Sequence, residues 1–207
     1  DSTNDCVQYI INLSEGSNLV SFYALPEDQS IENIFDGIAS FISGVIGEGQ
    51  GAIYTNGMWI GSLTEISNLS GYWIITSNEV ALDVVGIPTP AETVYNLNIL
   101  NNLISYPFAG SAPIEETIPE EAQENLDVII GEGTAGMNTP GGWIGMLSSL
   151  SGTEGYWFIT SQEIDFTYNA PVAGDNLARQ TKVRKLDIPE AYVFNQSRNQ
   201  AFYFIDS

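Results

Sequence analysis

Histidine is missing from this chain, and lysine and arginine are missing from everything before Arg179. Without His there is no Ser-His-Asp or Cys-His arrangement and no His-ligated zinc site. That long stretch has no basic side chain to hold a phosphate or neutralise a nucleic-acid backbone. These absences speak against nucleotide chemistry and nucleic-acid binding, and they leave lysine Schiff-base chemistry to the C-terminal segment alone. Cys6 is the single cysteine. Beside Asp5 and without a cation near it in sequence, it reads as a free thiol, or as half of a bridge to something outside this chain, and not as an activated thiolate. No apolar run approaches the roughly 18 residues of a membrane span. The first residue is Asp1 rather than Met, and no signal-like stretch follows it, which suggests a processed or trimmed chain.

Charge overall is also scarce. Charged residues make up 15% of 207, against about 25% in an ordinary soluble domain. What charge there is divides sharply along the chain. Twenty-six acids face five bases, for a net charge of −21. The five bases are Arg179, Lys182, Arg184, Lys185 and Arg198, and only three acids, Asp187, Glu190 and Asp206, accompany them in the C-terminal segment. An acid-only body thus carries a tail of opposite sign. Low charge, one Cys and abundant small polar residues suit a secreted or surface protein.

A repeat organises the body. Asn18-Leu19-Val20-Ser21 returns as Asn102-Leu103-Ile104-Ser105, Ile46-Gly47-Glu48-Gly49 as Ile130-Gly131-Glu132-Gly133, and Trp59-Ile60-Gly61 as Trp143-Ile144-Gly145. Gly71-Tyr72-Trp73 returns as Gly155-Tyr156-Trp157, again at the offset that separates Asn18 from Asn102. Over 18–79 and 102–163 the two copies share 23 of 62 positions without a gap. The expected organisation is a module over 1–90, a second over 91–170, and a basic linker with a C-terminal tail over 171–207.

Each module reads as mainly β (α+β), about 80 residues of short strands with one short helix. Opening strands are expected at Tyr9 to Leu13 and Val94 to Ile99, followed by Leu19 to Tyr23 and Leu103 to Tyr106. Ser30 can cap a helix whose apolar positions are Ile31, Ile34, Phe35, Ile38 and Ile42. Thr117 and Pro119 mark its counterpart. Later strands alternate as Val80, Leu82, Val84 and as Ile164, Phe166, Tyr168. Pro88 and Pro90 read as a linker. In the tail, Ala191 to Phe194 and Ala201 to Ile205 are β-prone, with Phe202 and Phe204 on one strand face and Tyr203 on the other.

Candidate functional residues fall into three sets. Trp59, Trp143, Tyr72 and Tyr156 can face a ligand, since aromatic faces suit pyranose rings. Along Gly-Tyr-Trp the side chains alternate, so Tyr and Trp cannot both point inward. Trp73 and Trp157 are expected in the core, which leaves the tyrosines outward. The second set is acidic: Glu27, Asp28, Glu32 and Asp36 in one copy and Glu115, Glu116, Glu120 and Glu121 in the other. These are hard oxygen ligands and candidates for Ca²⁺, though no Asp-x-Asp-x-Asp-Gly loop is present. Glu48 and Glu132 lie between glycines that shape a turn, their carboxylates solvated or capping amides. Third is the tail: Arg179, Lys182, Arg184, Lys185, Phe194, Phe202, Tyr203 and Phe204 combine cations for the acidic body with a strand in want of a sheet edge.

The series Asn-Leu-Val-Ser, Trp-Ile-Gly-Ser-Leu and Gly-Tyr-Trp-Ile-Ile resembles tandem repeats of large secreted proteins of marine bacteria and segments of marine phage virion proteins. That resemblance covers about 8–168 and 191–205 and carries no catalytic residue with it. It implies that a further β domain would begin near Phe194-Asn195-Gln196-Ser197. The expectation from all this is a non-enzymatic extracellular structural protein that self-associates head-to-tail through its tail, as a surface filament or layer. A carbohydrate-binding or adhesion module that takes glycans through exposed aromatics is the alternative, and a virion surface protein a second one. No nucleic-acid partner, membrane span or cofactor other than Ca²⁺ is expected.

Overall fold

The computed structural model describes residues 6–171. The first copy opens with β1 (Val7–Leu13), β2 (Gly16–Ser21) and β3 (Ala24–Leu25), then helix α1 (Ile31–Phe35). It continues through β4 (Ile42–Gly47), β5 (Gln50–Thr55), β6 (Met58–Gly61), β7 (Gly71–Thr76) and β8 (Val80–Pro88). The second copy comprises β9 (Tyr95–Leu97), β10 (Leu100–Ile104), β11 (Ser111–Pro113), α2 (Ile114–Thr117), α3 (Glu120–Gln123) and β12 (Leu126–Gly131). Strands β13 (Thr134–Thr139), β14 (Gly142–Gly145), β15 (Ser149–Ser151), β16 (Tyr156–Thr160) and β17 (Ile164–Phe166) complete it. The fold is mainly β.

Each copy is built on a five-stranded antiparallel sheet, β2-β7-β4-β5-β6 in the first and β10-β16-β12-β13-β14 in the second. A smaller sheet covers the inner side: β1-β8-β3 in the first copy, β9-β17 in the second. In β1 and β8 the period of two puts Ile11, Leu13, Leu82 and Val84 into the core and leaves Ile10 and Val85 outside. These meet Val20, Phe35, Val45, Ile74 and the α1 face in one apolar cluster. The second copy has its own cluster, around Ile114, Ile129, Tyr156 and Phe158. At the positions equivalent to Ile11, Ile74, Leu82 and Val84 it has Tyr95, Phe158, Phe166 and Tyr168, and these pack edge-to-face or stacked on one another. One copy is thus filled by aliphatic chains where the other is filled by rings.

The repeated polar residues hold the turns. Asn18 accepts the Ser14 N–H at 2.8 Å and its amide donates to the Ser14 carbonyl. Asn102 repeats this on Asn98, at 2.8 Å for each bond. Thr76 and Thr160 hydroxyls donate to the same two carbonyls. Gly16 takes a φ of 102° in this turn, and its counterpart Leu100 is held at 78°, a left-handed conformation that strains a branched side chain by about 1 kcal/mol or more.

The helices differ from expectation. Ser30 caps α1 by accepting the Asn33 N–H at 3.3 Å, but the helix stops at Phe35. A 3₁₀ turn over Ala39–Phe41 follows, and Ile42 already begins β4. Ile38 and Ile42 are apolar because a turn and a bulged strand start bury them. The second copy has two helical turns where one helix was expected, and α3 starts directly after Pro119. Pro88, expected in a linker, pairs with Ala24 at the end of β8. Both copies belong to one compact unit.

Candidate interaction surface

A sheet edge left open is a row of unpaired amides and carbonyls, and β2 and β10 are edge strands of their own sheets. Each is closed by the other copy. The Leu19 N–H donates to the Glu132 carboxylate at 2.8 Å, and the Leu103 N–H donates to Glu48 at 2.9 Å. Ser21 N–H donates to the Thr153 carbonyl, and Ser105 N–H to Leu69. The bridges Val20–Glu154 and Ile104–Ser70 form the same reciprocal pair. Each contact exchanges a position of one copy for its equivalent in the other, so the two copies are related by a local two-fold axis. Glu48 and Glu132 cap amides, but those of the opposite copy rather than of their own turn.

Two glycines make the approach close enough. A Cβ on Gly155 would lie 2.7 Å from the Val20 carbonyl oxygen and 3.2 Å from the Gly71 Cα. One on Gly71 would lie 2.8 Å from a Leu103 methyl and 3.2 Å from the Gly155 Cα. Leu19 and Leu103, each only 2% exposed, fill the space beside them.

Strands β6 and β14, at the far ends of the two large sheets, pair on one side only among the described residues. The outward faces leading to them are apolar. Cross-strand pairing sets Ile53 against Ile60 and Ile46 against Trp73, and Met137 against Ile144 and Ile130 against Trp157. Ile53, Ile60, Met137 and Ile144 are each more than half exposed. Carboxylates flank both edges. Glu32 and Asp36 line a cleft with Tyr54, Met58 and Trp59, and Glu115 lies beside Gly142 of β14.

The expected ligand-facing aromatics are placed otherwise. Tyr72 and Tyr156 are buried, only 1% and 0% exposed, with their hydroxyls accepting the Ser67 and Ser151 N–H groups at 2.7 and 2.8 Å. The inward-facing Gly47 and Gly131 leave room for their rings. Trp73 and Trp157, expected in the core, are half-buried on the outward face. That is the reverse assignment of the same alternation. Trp59 and Trp143 are half-buried too. Trp59 packs on Phe35 and meets Tyr54 at 57°, a tilt unlike a flat sugar platform, and the Trp143 indole donates to Gln123 at 2.8 Å.

Among the described residues no three acids gather as a metal site. Glu27, Asp28, Glu32, Asp36, Glu115, Glu116, Glu120 and Glu121 are exposed. Asp28 serves α1 instead: hydrogen bonds from the Ser30 side chain and backbone hold its carboxyl below the usual range. The tail residues Arg179, Lys182, Arg184, Lys185, Phe194, Phe202, Tyr203 and Phe204 lie outside the described residues. No described helix is long and apolar enough to cross a membrane. No protein-family model, curated protein or solved structure matches the chain.

Proposed function

We propose that this chain is a non-enzymatic, extracellular structural subunit that assembles into a surface filament or layer through its C-terminal tail. The observation that carries the reading is the division of charge. The described residues contain acids and no base, so no ion pair can form among them, and every cationic side chain lies between Arg179 and Arg198. Such a segment is drawn to an acidic body, its own or a neighbour's, by an attraction that weakens as salt rises. Attachment to a neighbour is a head-to-tail contact, and contacts of that kind give rings or open filaments.

Sedimentation of the full chain beside a chain ending at Gly174, at low and high salt and with and without Ca²⁺, tests this. Only the full chain should form large species, and they should shrink at high salt. Two chains that stay monomeric in every condition, or that assemble equally, would overturn it.

A further inference from the structure

We infer that the outward faces of the two large sheets are equivalent acceptors for the tail of another copy, whose segment from Ala201 to Ile205 adds as a strand along the open edge of β6 or β14. The inference rests on the assembly reading above and names the surface that completes it. Strand addition needs an unpaired edge. Among the described residues only β6 and β14 present one in the large sheets, β2 and β10 being closed across the local two-fold. It also needs an apolar floor for the incoming side chains. Ile53 and Ile60, or Met137 and Ile144, provide one, and Phe202 and Phe204 share the strand face that would lie on it. Charge selects the same occupant. Glu32 and Asp36 stand beside β6 and Glu115 beside β14, and Arg198 shortly precedes the incoming strand. The chain from Val172 to Ser207, beyond the described body, has an extended reach of roughly 120 Å, ample for a neighbouring copy.

One tail and two acceptors per chain give a stoichiometry that can be counted. Two full-length variants are needed: a tail variant with Phe202→Ser and Phe204→Ser, and a face variant with Ile53→Lys, Ile60→Lys, Met137→Lys and Ile144→Lys. All four face positions are exposed, so the added charge meets solvent. Val85→Lys, on the exposed side of β8, adds charge elsewhere and should leave assembly unchanged. Each variant alone should sediment as a monomer. Mixed with excess face variant, the tail variant should take up two copies and give a trimer. Adding Ile53→Lys and Ile60→Lys to the tail variant should reduce that to a dimer. A face variant that assembles like the unaltered chain, or a mixture that stops at one-to-one, would overturn the inference and leave tail-driven assembly intact. A tail variant that assembles like the unaltered chain would likewise overturn the inference, whereas a chain ending at Gly174 that still assembles would overturn the assembly reading itself.

Discussion

Replacing Gly155 by alanine should cost about 1–3 kcal/mol of stability, although the change adds a single methyl group. The added carbon would sit 2.7 Å from the Val20 carbonyl oxygen, and backbone cannot rotate aside as a flexible side chain does. Relief requires the copies to part, which lengthens the Leu19–Glu132 and Leu103–Glu48 bonds together and uncovers two strand edges. Gly37 supplies the comparison, because a Cβ there meets nothing within 4 Å and its φ is ordinary. Gly37→Ala should be neutral or slightly stabilising, since it narrows the unfolded ensemble. Gly71→Ala should resemble Gly155→Ala. The double variant should cost less than the two singles added, because one separation relieves both clashes. Urea midpoints read all four. If Gly155→Ala is as benign as Gly37→Ala, the close contact at the local axis is not there.

At alkaline pH the body should unfold in one steep step. Tyr9, Tyr72, Tyr95, Tyr106, Tyr156 and Tyr168 are all held above the usual tyrosine range, chiefly because burial disfavours the phenolate. The neighbouring Glu154 carboxylate adds to this at Tyr156. A raised value in the folded state means that the unfolded chain gives up these protons first. Their contribution is therefore complete below the ordinary value of about 10 and is lost as pH rises beyond it. Each such group erodes at most about 1.4 kcal/mol per pH unit above that value, and several acting together make the loss steep. Tyrosinate absorbance and β-sheet circular dichroism should change together, within about one unit. Between about pH 6 and 9, by contrast, a body without His or Lys should keep nearly constant stability. Gradual titration of the buried tyrosines near their ordinary value, with structure intact, would contradict the packing described.

Much of the fold is legible in the chain because it is written twice. The constant offset between the copies matches β4 with β12, β6 with β14 and β7 with β16, and the alternation in β8 and β17 points the right side chains inward, whereas β5 and β13 fall where the glycines read as a turn. The α1 region is harder, since apolar residues three and four apart suit a helix equally well when a 3₁₀ turn leads into a bulged strand. Ile38 and Ile42 belong to that second case. At Gly-Tyr-Trp the alternation shows that one ring points in, but size alone does not say which. Gly47 and Gly131 hold the clue, as each vacates the space beside a tyrosine ring, and Ser67 and Ser151 supply the buried hydroxyls with a partner.

The sequence leaves the acids of Ile-Gly-Glu-Gly either solvated or capping neighbouring amides, and the amides that they do cap are out of sequence reach. The bond from Leu103 to Glu48 joins the two copies, as does the one from Leu19 to Glu132. Spacing carries no trace of such a pairing. The edges β6 and β14, which pair on one side only among the described residues, are likewise invisible until strand order is known, because Ile53 and Ile60 alternate like residues of any half-buried strand.

Amide hydrogen exchange on the unaltered chain, followed before and after assembly, tests most directly the claim that two edges are closed within the chain and two are kept for the next copy. The Leu19 and Leu103 amides should be protected throughout. Amides of β6 and β14, Met58–Gly61 and Gly142–Gly145, should gain protection only as the chain assembles. Assembly without that gain, or rapid exchange at Leu19 and Leu103 in the dispersed chain, would contradict it.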